Sequence, residues 1–189
     1  MKSRPAGPKT GRERRNVEHL VRVLHGSDPA AAERAAEALR SEDKAPVVVS
    51  ACLVGAPTRY DGEARLSAAV AVATRGRAVL PLCPELLGGM GCPRPPVHFA
   101  AGDGATLVAG GGRVVDDAGN DRGPELLAGA RRALGLARLA GAREAILKER
   151  SPSCGCSRVH ALGGIRAGTG VFAALARQAG LRCRSEEDV

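Results

Sequence analysis

Short apolar runs alternate with helix patterns along most of this 189-residue sequence, and this alternation constrains the fold more than any other feature. Three of the runs predict buried strands: residues 47–51, 78–82 and 143–148. Two intervening segments have apolar residues at helical spacing: residues 66–74 and 124–139. Because strands that alternate with helices form mainly parallel sheets, we expect an α/β fold, a single Rossmann-like domain over residues 46–189.

Smaller elements complete the predicted domain. Residues 106–109 and 113–116, joined by three glycines at 110–112, predict a small β-hairpin insertion. The remaining segments predict a long loop rich in Ser and Gly, a helix and a final short strand: residues 150–169, 171–179 and 181–183.

The N-terminal part of the chain has a different composition. Residues 1–16 contain six basic residues and one acidic residue, so they carry +5 of the formal net charge of +8. They predict a basic, flexible tail, which could contact nucleic acid or another anionic surface. Residues 17–45 predict a helical extension, because apolar residues at helical spacing are followed by an Ala-rich run. The basic charge is therefore mostly a property of the tail.

Composition excludes several functional classes. Aromatic residues make up only 2% of the chain, which argues against a protein that binds RNA or single-stranded DNA by base stacking. No apolar run reaches the roughly 18–20 residues that a membrane span needs. The basic N-terminus also lacks the apolar run of a secretory signal. We therefore expect a cytoplasmic protein whose six cysteines stay reduced and serve metal binding, catalysis or core packing.

Three of the cysteines follow the predicted strands: Cys52, Cys83 and Cys154. Because the carboxyl ends of parallel strands meet at one edge of a sheet, thiols from distant parts of the chain can converge there. Three thiolates suit a metal site with one open coordination position, either zinc or an iron–sulfur cluster. The chain has no C-x2-C pair, and its histidines form no ligand pattern: His19, His25, His98 and His160.

The other three cysteines are weaker candidates for the ligands of such a site. Cys183 lies in an apolar strand pattern, so we expect it to pack in the core. Cys92 and Cys156 lie in the same loops as Cys83 and Cys154, and either of them could replace a ligand. A cysteine–histidine nucleophile also stays open, although nothing in the spacing favours it.

Four motifs in a fixed order resemble the thiouracil desulfurase family over roughly residues 46–187. The first is SACLVG at 50–55 with RYDG at 59–62. The second is CPE at 83–85, with two glycines at 88–89 and PRPP at 93–96. The third is KERSPSCG at 148–155, and a weaker fourth match is GTGV at 168–171.

The resemblance implies an enzyme. Characterised members hold a 4Fe-4S cluster with one iron free of protein ligands, and the implied ligands are Cys52, Cys83 and Cys154. These characterised members remove sulfur from a thiolated pyrimidine without net redox chemistry and release hydrosulfide through the open iron. Glu85 is implied as the general base that activates water, and Ser151 as a group that binds substrate or relays the proton. Because such clusters are oxygen-labile, aerobic preparations can lack them.

The motifs also supply candidates for substrate binding: Ser50, Tyr60, Asp61, Lys148 and Ser153. The expected partner is a small thiolated base, and neither a membrane nor a nucleic acid is expected. Two other functions stay open. One is a non-catalytic iron–sulfur or metal sensor, in which Glu85 would be dispensable. The other is a metal-free thiol enzyme, which needs a cysteine with a lowered pKa.

Overall fold

The computed structural model describes residues 45–189, which contain five α-helices and eight strands. The strands are β1 (Val47–Ser50), β2 (Val79–Leu82), β3 (Val97–Ala101), β4 (Arg113–Asp116), β5 (Glu144–Leu147), β6 (Arg158–Ala161), β7 (Gly164–Ala167) and β8 (Arg182–Ser185). The helices are α1 (Ala68–Ala73), α2 (Pro84–Leu87), α3 (Gly104–Val108), α4 (Gly123–Leu139) and α5 (Val171–Gln178). A short 3-10 helix, Ala51–Val54, follows β1 directly.

Two four-stranded sheets organise these elements. The first, here called the parallel sheet, has the order β2–β1–β5–β8, and all neighbours in it run parallel. The second, the mixed sheet, has the order β4–β3–β6–β7; β3 and β6 pair in parallel, and the two outer pairs are antiparallel. The predicted α/β fold with a mainly parallel sheet is confirmed.

Apolar side chains cover both faces of the parallel sheet, as the continuous apolar strands predict. Alternate residues of β1 point to opposite faces, so Val48 belongs to the main core and Val47 and Val49 to a smaller cluster. The main core includes α4, whose buried residues recur every three or four positions, and α5, which is buried over most of its length. The smaller cluster is completed by Leu53 and by Val70 of α1.

Glycine allows α2 to pack directly on α4. A Cβ atom added at Gly129 of α4 would lie 1.9 Å from the carbonyl oxygen of Pro84. One added at Gly88 would lie 2.3 Å from the carbonyl oxygen of Glu125. No side chain fits at either distance, so these two glycines set how closely α2 approaches the long helix.

Two predictions about the second half of the chain are wrong. Residues 106–109 do not form a hairpin strand, because Gly104–Val108 is the helix α3, begun by Asp103, whose side chain accepts the N–H of Thr106 at 3.0 Å. The strand at 113–116 pairs with β3 instead. The segment predicted as a loop, 150–169, contains the hairpin β6–β7. In both places local propensity was outweighed by contacts with distant residues.

The predicted basic tail (1–16) and nearly all of the helical extension (17–45) lie outside the described residues, and the prediction for them stands as it was made. Residues 46–189 form one compact unit. Within the described part of the chain, no helix is long and apolar enough to cross a membrane.

Candidate active site

A cavity of about 630 Å³ lies where the carboxyl ends of β1, β2 and β5 meet. Its wall includes residues 50–52, 83–85 and 148–152 together with Cys154. Each of the first three sequence motifs therefore contributes to one space. The parallel sheet brings them together because its register aligns the strand ends: Ser50 lies beside Leu82, and its hydroxyl oxygen accepts the N–H of Lys148 at 2.9 Å.

The three cysteines that follow the strands all line this cavity. Cys52 lies in the 3-10 helix after β1, Cys83 precedes the first residue of α2, and Cys154 lies in the loop after β5. Cys52 and Cys154 are buried, and Cys83 is partly buried. The sequence prediction that these thiols converge agrees with their placement.

The surroundings of each thiol raise its pKa. Burial raises the pKa of Cys52 to about 11, and the neighbouring Cys83 adds to the rise. Burial likewise raises the pKa of Cys154, against a hydrogen bond from Ser50 that lowers it. Burial and then the charge of Glu85 raise the pKa of Cys83. These directions do not favour a metal-free thiol enzyme, which needs a cysteine with a lowered pKa.

Glu85 lies in the first turn of α2 and is buried at the cavity wall. Its Oε2 accepts two hydrogen bonds from Arg94, from Nη2 at 2.6 Å and Nε at 2.9 Å. Its Oε1 faces two hydroxyls, Ser153 at 3.0 Å and Ser151 at 3.5 Å. The carboxylate therefore has one oxygen bound to a cation and one in a purely hydroxyl environment.

The loop that carries Cys154 is organised by two side chains. Ser151 Oγ accepts the N–H groups of Ser153 and Cys154 at 3.1 and 3.2 Å. Glu149, which is 2% exposed, accepts the N–H groups of residues 156–158. Burial alone would raise the pKa of Glu149, but these backbone bonds hold it below its ordinary value. The carboxylate stays ionised and fixes the loop beyond the cysteine.

The remaining substrate-binding candidates divide into two groups. Tyr60 and Lys148 line the cavity, as does Ser50. Asp61 and Ser153 are not part of its lining: Asp61 pairs with Arg59 at 2.5 Å, and Ser153 is buried behind Glu85. Both therefore contact residues of the wall instead of the cavity itself.

Several residues that line the cavity were missed by the sequence interpretation. Arg94 lies in the PRPP motif, but nothing in the pattern indicated its contact with Glu85. His98 and His160, which looked isolated in the sequence, both line the cavity. Burial, followed by the charge of Arg150, lowers the pKa of His160. Strand β3, which carries His98, was not predicted, so no signal placed that residue here.

The other cysteines lie elsewhere. Cys92 is exposed, and its thiol donates to the carbonyl oxygens of Pro57 and Arg59 at 3.1 and 3.2 Å. Cys156 and Cys183 belong to the main core and are electrostatic neighbours of each other. Burial raises the pKa of Cys156 to about 12 and that of Cys183 to about 11. None of these three lines the cavity, although Cys156 is only two residues from Cys154.

Three thiols that line one cavity are donors of the kind that an iron–sulfur cluster takes. Among residues 45–189, no three Cys, His, Asp or Glu side chains are grouped so that they could hold one metal ion. Burial raises the pKa of Cys52, and the positive charges of Lys148 and Arg59 beside this thiol offset part of that rise.

Comparisons with known proteins point to one family. A family model described as 2-thiouracil desulfurase matches residues 47–188. A curated protein of Bacillus subtilis (strain 168), the uncharacterized protein YbbK, is 36% identical over 146 residues, which are 76% of this chain and 97% of that protein. A solved structure, the 4Fe-4S-dependent thiouracil desulfidase TudS, is 39% identical with a TM-score of 0.65, over 77% of this chain and 93% of that one.

Proposed function

Because the chain belongs to the 2-thiouracil desulfurase family, we propose that it is a 4Fe-4S-dependent desulfidase acting on a small thiolated pyrimidine or a related thioamide. The overall reaction adds water to a C=S carbon and yields a C=O group and hydrosulfide, without net oxidation or reduction. The observation that carries the proposal is the convergence of three thiols, one carboxylate and one hydroxyl on a single cavity. They are Cys52, Cys83, Cys154, Glu85 and Ser151.

Cys52, Cys83 and Cys154 would hold the cluster. When bound, a cluster with three protein ligands supplies a thiophilic Lewis acid that polarises the C=S bond of the substrate. The chain's task is to present the three thiols to one space, to balance their negative charge and to bind the ring. Lys148 and Arg59 provide that charge balance, and Tyr60 offers an aromatic side chain at the cavity wall.

Glu85 is the general base in this proposal. Water that attacks the ring carbon must lose a proton, and Oε1 is the carboxylate oxygen that can take it, because Oε2 is bound twice by Arg94. Ser151 lies 3.5 Å from Oε1 and lines the cavity, so its hydroxyl can bridge the carboxylate and the substrate. The proton held on Oε1 then returns to the leaving sulfur, which departs as hydrosulfide. As the C=O bond forms, the proton of the added hydroxyl passes to Oε1 and then to solvent, which completes the balance.

The test is anaerobic reconstitution of the full-length chain followed by measurement of iron, sulfide and substrate turnover. We expect about four iron and four sulfide per chain and hydrosulfide release from 4-thiouracil or 2-thiouracil. Cys52→Ala, Cys83→Ala and Cys154→Ala should each lose the cluster and all turnover. The matched control is Cys183→Ala, a core cysteine outside the cavity, which should keep both.

Two results contradict the proposal in different ways. A chain that binds no iron under these conditions is not a cluster enzyme. A chain that loads the cluster but releases no hydrosulfide from any thiolated pyrimidine is a binding or sensor protein instead.

A further inference from the structure

Arg94 makes more side-chain contacts at the cavity wall than its place in a Pro-rich loop suggests. Its side chain is 4% exposed although it is an arginine, and it lines the cavity. Its guanidinium donates to Glu85 Oε2 and to two backbone carbonyl oxygens, of Thr58 at 3.1 and 3.2 Å and of Gly91 at 2.9 Å. A buried guanidinium with every nitrogen bonded is a rigid group, because its planar fork has little freedom once both ends are held.

These bonds determine which way the Glu85 carboxylate faces. Nε and Nη2 of Arg94 both converge on Oε2, so the plane of the carboxylate cannot rotate without losing two charge-assisted bonds. The other oxygen is therefore directed at Ser153 and Ser151. Glu85 has three side-chain torsions, and α2 is only four residues long, so the helix alone would not hold its carboxylate in one place.

Arg94 also connects this carboxylate to the loop that carries Tyr60, which lines the same cavity. Its backbone N–H donates to the carbonyl oxygen of Tyr60 at 2.8 Å, and its guanidinium holds that of Thr58. The Cys83 thiol donates to the same Thr58 oxygen at 3.7 Å. One residue thus sets the distance between the group assigned as the base and the loop that carries Tyr60.

We propose that Arg94 is a positioning residue for the reaction. By binding Glu85 Oε2 twice and the Thr58 carbonyl at the same time, it holds Oε1 toward Ser151 and holds the loop of Tyr60 at the cavity wall. This inference rests on the proposed function and assigns to Arg94 a role that acts through Glu85. This positioning role requires the guanidinium fork of Arg94 and not only its positive charge.

The first test compares Arg94→Met with Arg94→Lys in anaerobically reconstituted enzyme, with turnover expressed per loaded cluster. Arg94→Met should lower kcat about 100-fold, the effect of a misplaced catalytic group, with a KM within a few-fold of the original. Arg94→Lys should recover part of that loss and stay about tenfold below the original, because one ammonium cannot make the paired bonds. Arg77→Met is the matched control, since Arg77 pairs with Glu144 at the other end of the parallel sheet, and it should leave kcat unchanged.

The second test does not depend on activity. Tyr60 is the single tyrosine in a chain without tryptophan, so the intrinsic fluorescence of the full-length protein reports on its loop alone. Arg94→Met should make Tyr60 more accessible to acrylamide quenching, and Arg77→Met should not. Tyr60→Phe gives the blank.

The outcomes separate the two proposals. A wild-type enzyme without turnover refutes the proposed function, and the quenching result then decides the role of Arg94 on the loop. Unchanged quenching, or a kcat within threefold of the original in an active enzyme, overturns the role of Arg94. If Arg94→Met does not fold, Arg94→Lys decides by the same criteria.

Discussion

Each end of the parallel sheet buries a glutamate that is paired with arginine, and the two pairs are built differently. At the amino end, Glu144 is saturated with cations: Arg77 binds Oε2 at 2.8 Å, and Arg184 binds Oε1 at 2.6 and 3.0 Å. At the carboxyl end, Arg94 binds only Oε2 of Glu85, and Oε1 faces hydroxyls. A carboxylate with cations on both oxygens has no oxygen for proton transfer, whereas Glu85 keeps one.

The comparison shows that burial and an arginine partner do not by themselves identify a catalytic carboxylate. What differs is the second oxygen and the space beside it. Glu85 lines a cavity shared with three thiols, and Glu144 lies at the strand ends opposite to that cavity. The first arrangement suits proton transfer, and the second suits stability.

Replacement of each glutamate by glutamine should give the largest difference in kcat between the two ends of the sheet. Glu85→Gln should keep the cluster, measured by iron content, and lose about 10²–10⁴-fold in kcat, because an amide cannot take the proton. Glu144→Gln should leave kcat unchanged. Full turnover in Glu85→Gln would show that Glu85 is not the general base and would remove the distinction between the two ends.

Alanine substitutions at two glycines of α4 should give the next largest difference, in both stability and kcat. Gly129→Ala places a Cβ 1.9 Å from the Pro84 carbonyl oxygen and must displace α2, which carries Glu85. We expect about 1–3 kcal/mol lower stability and a reduced kcat. Gly135→Ala is the matched control, since nothing lies within 4 Å of its Cβ, and it should raise stability by up to about 1 kcal/mol. Thermal unfolding and turnover check both variants, and an unchanged kcat in Gly129→Ala would show that α2 tolerates displacement.

The smallest expected effect is the pH dependence of the stability that the Glu144 carboxylate contributes. Burial alone would raise the pKa of Glu144, but hydrogen bonds from Arg77 and Arg184 hold it below its ordinary value of 4.5. A group whose pKa is lower in the folded state stabilises the protein above its unfolded pKa and loses that contribution as pH falls through its folded pKa.

Glu144→Gln should therefore cost about 1–2 kcal/mol near pH 7, a figure kept small because Arg184 is half exposed. The difference from the original protein should shrink below about pH 4.5, measured by urea unfolding across pH. A penalty that stays constant down to pH 3 would show that Glu144 acts through packing and not through its charge.

The parts of the fold that followed from sequence are those with strong local patterns. The strands β1, β2 and β5 and the helix α4 lie within a few residues of their predicted bounds. The prediction that β2 is buried is wrong, because β2 is an edge strand in which only Leu82 is fully buried. The mixed sheet did not follow, because His98 interrupts the apolar run of β3 and the helix α3 has β-branched residues that favour a strand. The Asp103 side chain and packing against α5 decide that segment instead.

The candidate site was predictable to the level of its cysteines and its glutamate. Cys52, Cys83 and Cys154 could be selected because each follows an apolar run, and a parallel sheet aligns strand ends. That Cys156 lies outside the cavity could not be predicted, since it is only two residues from Cys154 and both cysteines pack in the main core. The pairing of Glu85 with Arg94 was equally hidden, because no local pattern encodes a contact nine residues away around an irregular turn.

By itself, the amino-acid sequence determined the α/β fold and the three strand ends that carry thiols, because apolar periodicity and the residue that follows a strand are local properties. Only the tertiary structure decided which cysteines share a cavity and which oxygen of Glu85 stays available. Those outcomes depend on contacts between distant residues, such as the Ser50 hydroxyl with the Lys148 amide 98 positions later. Such contacts form only when packing of the whole domain brings the strand ends into register.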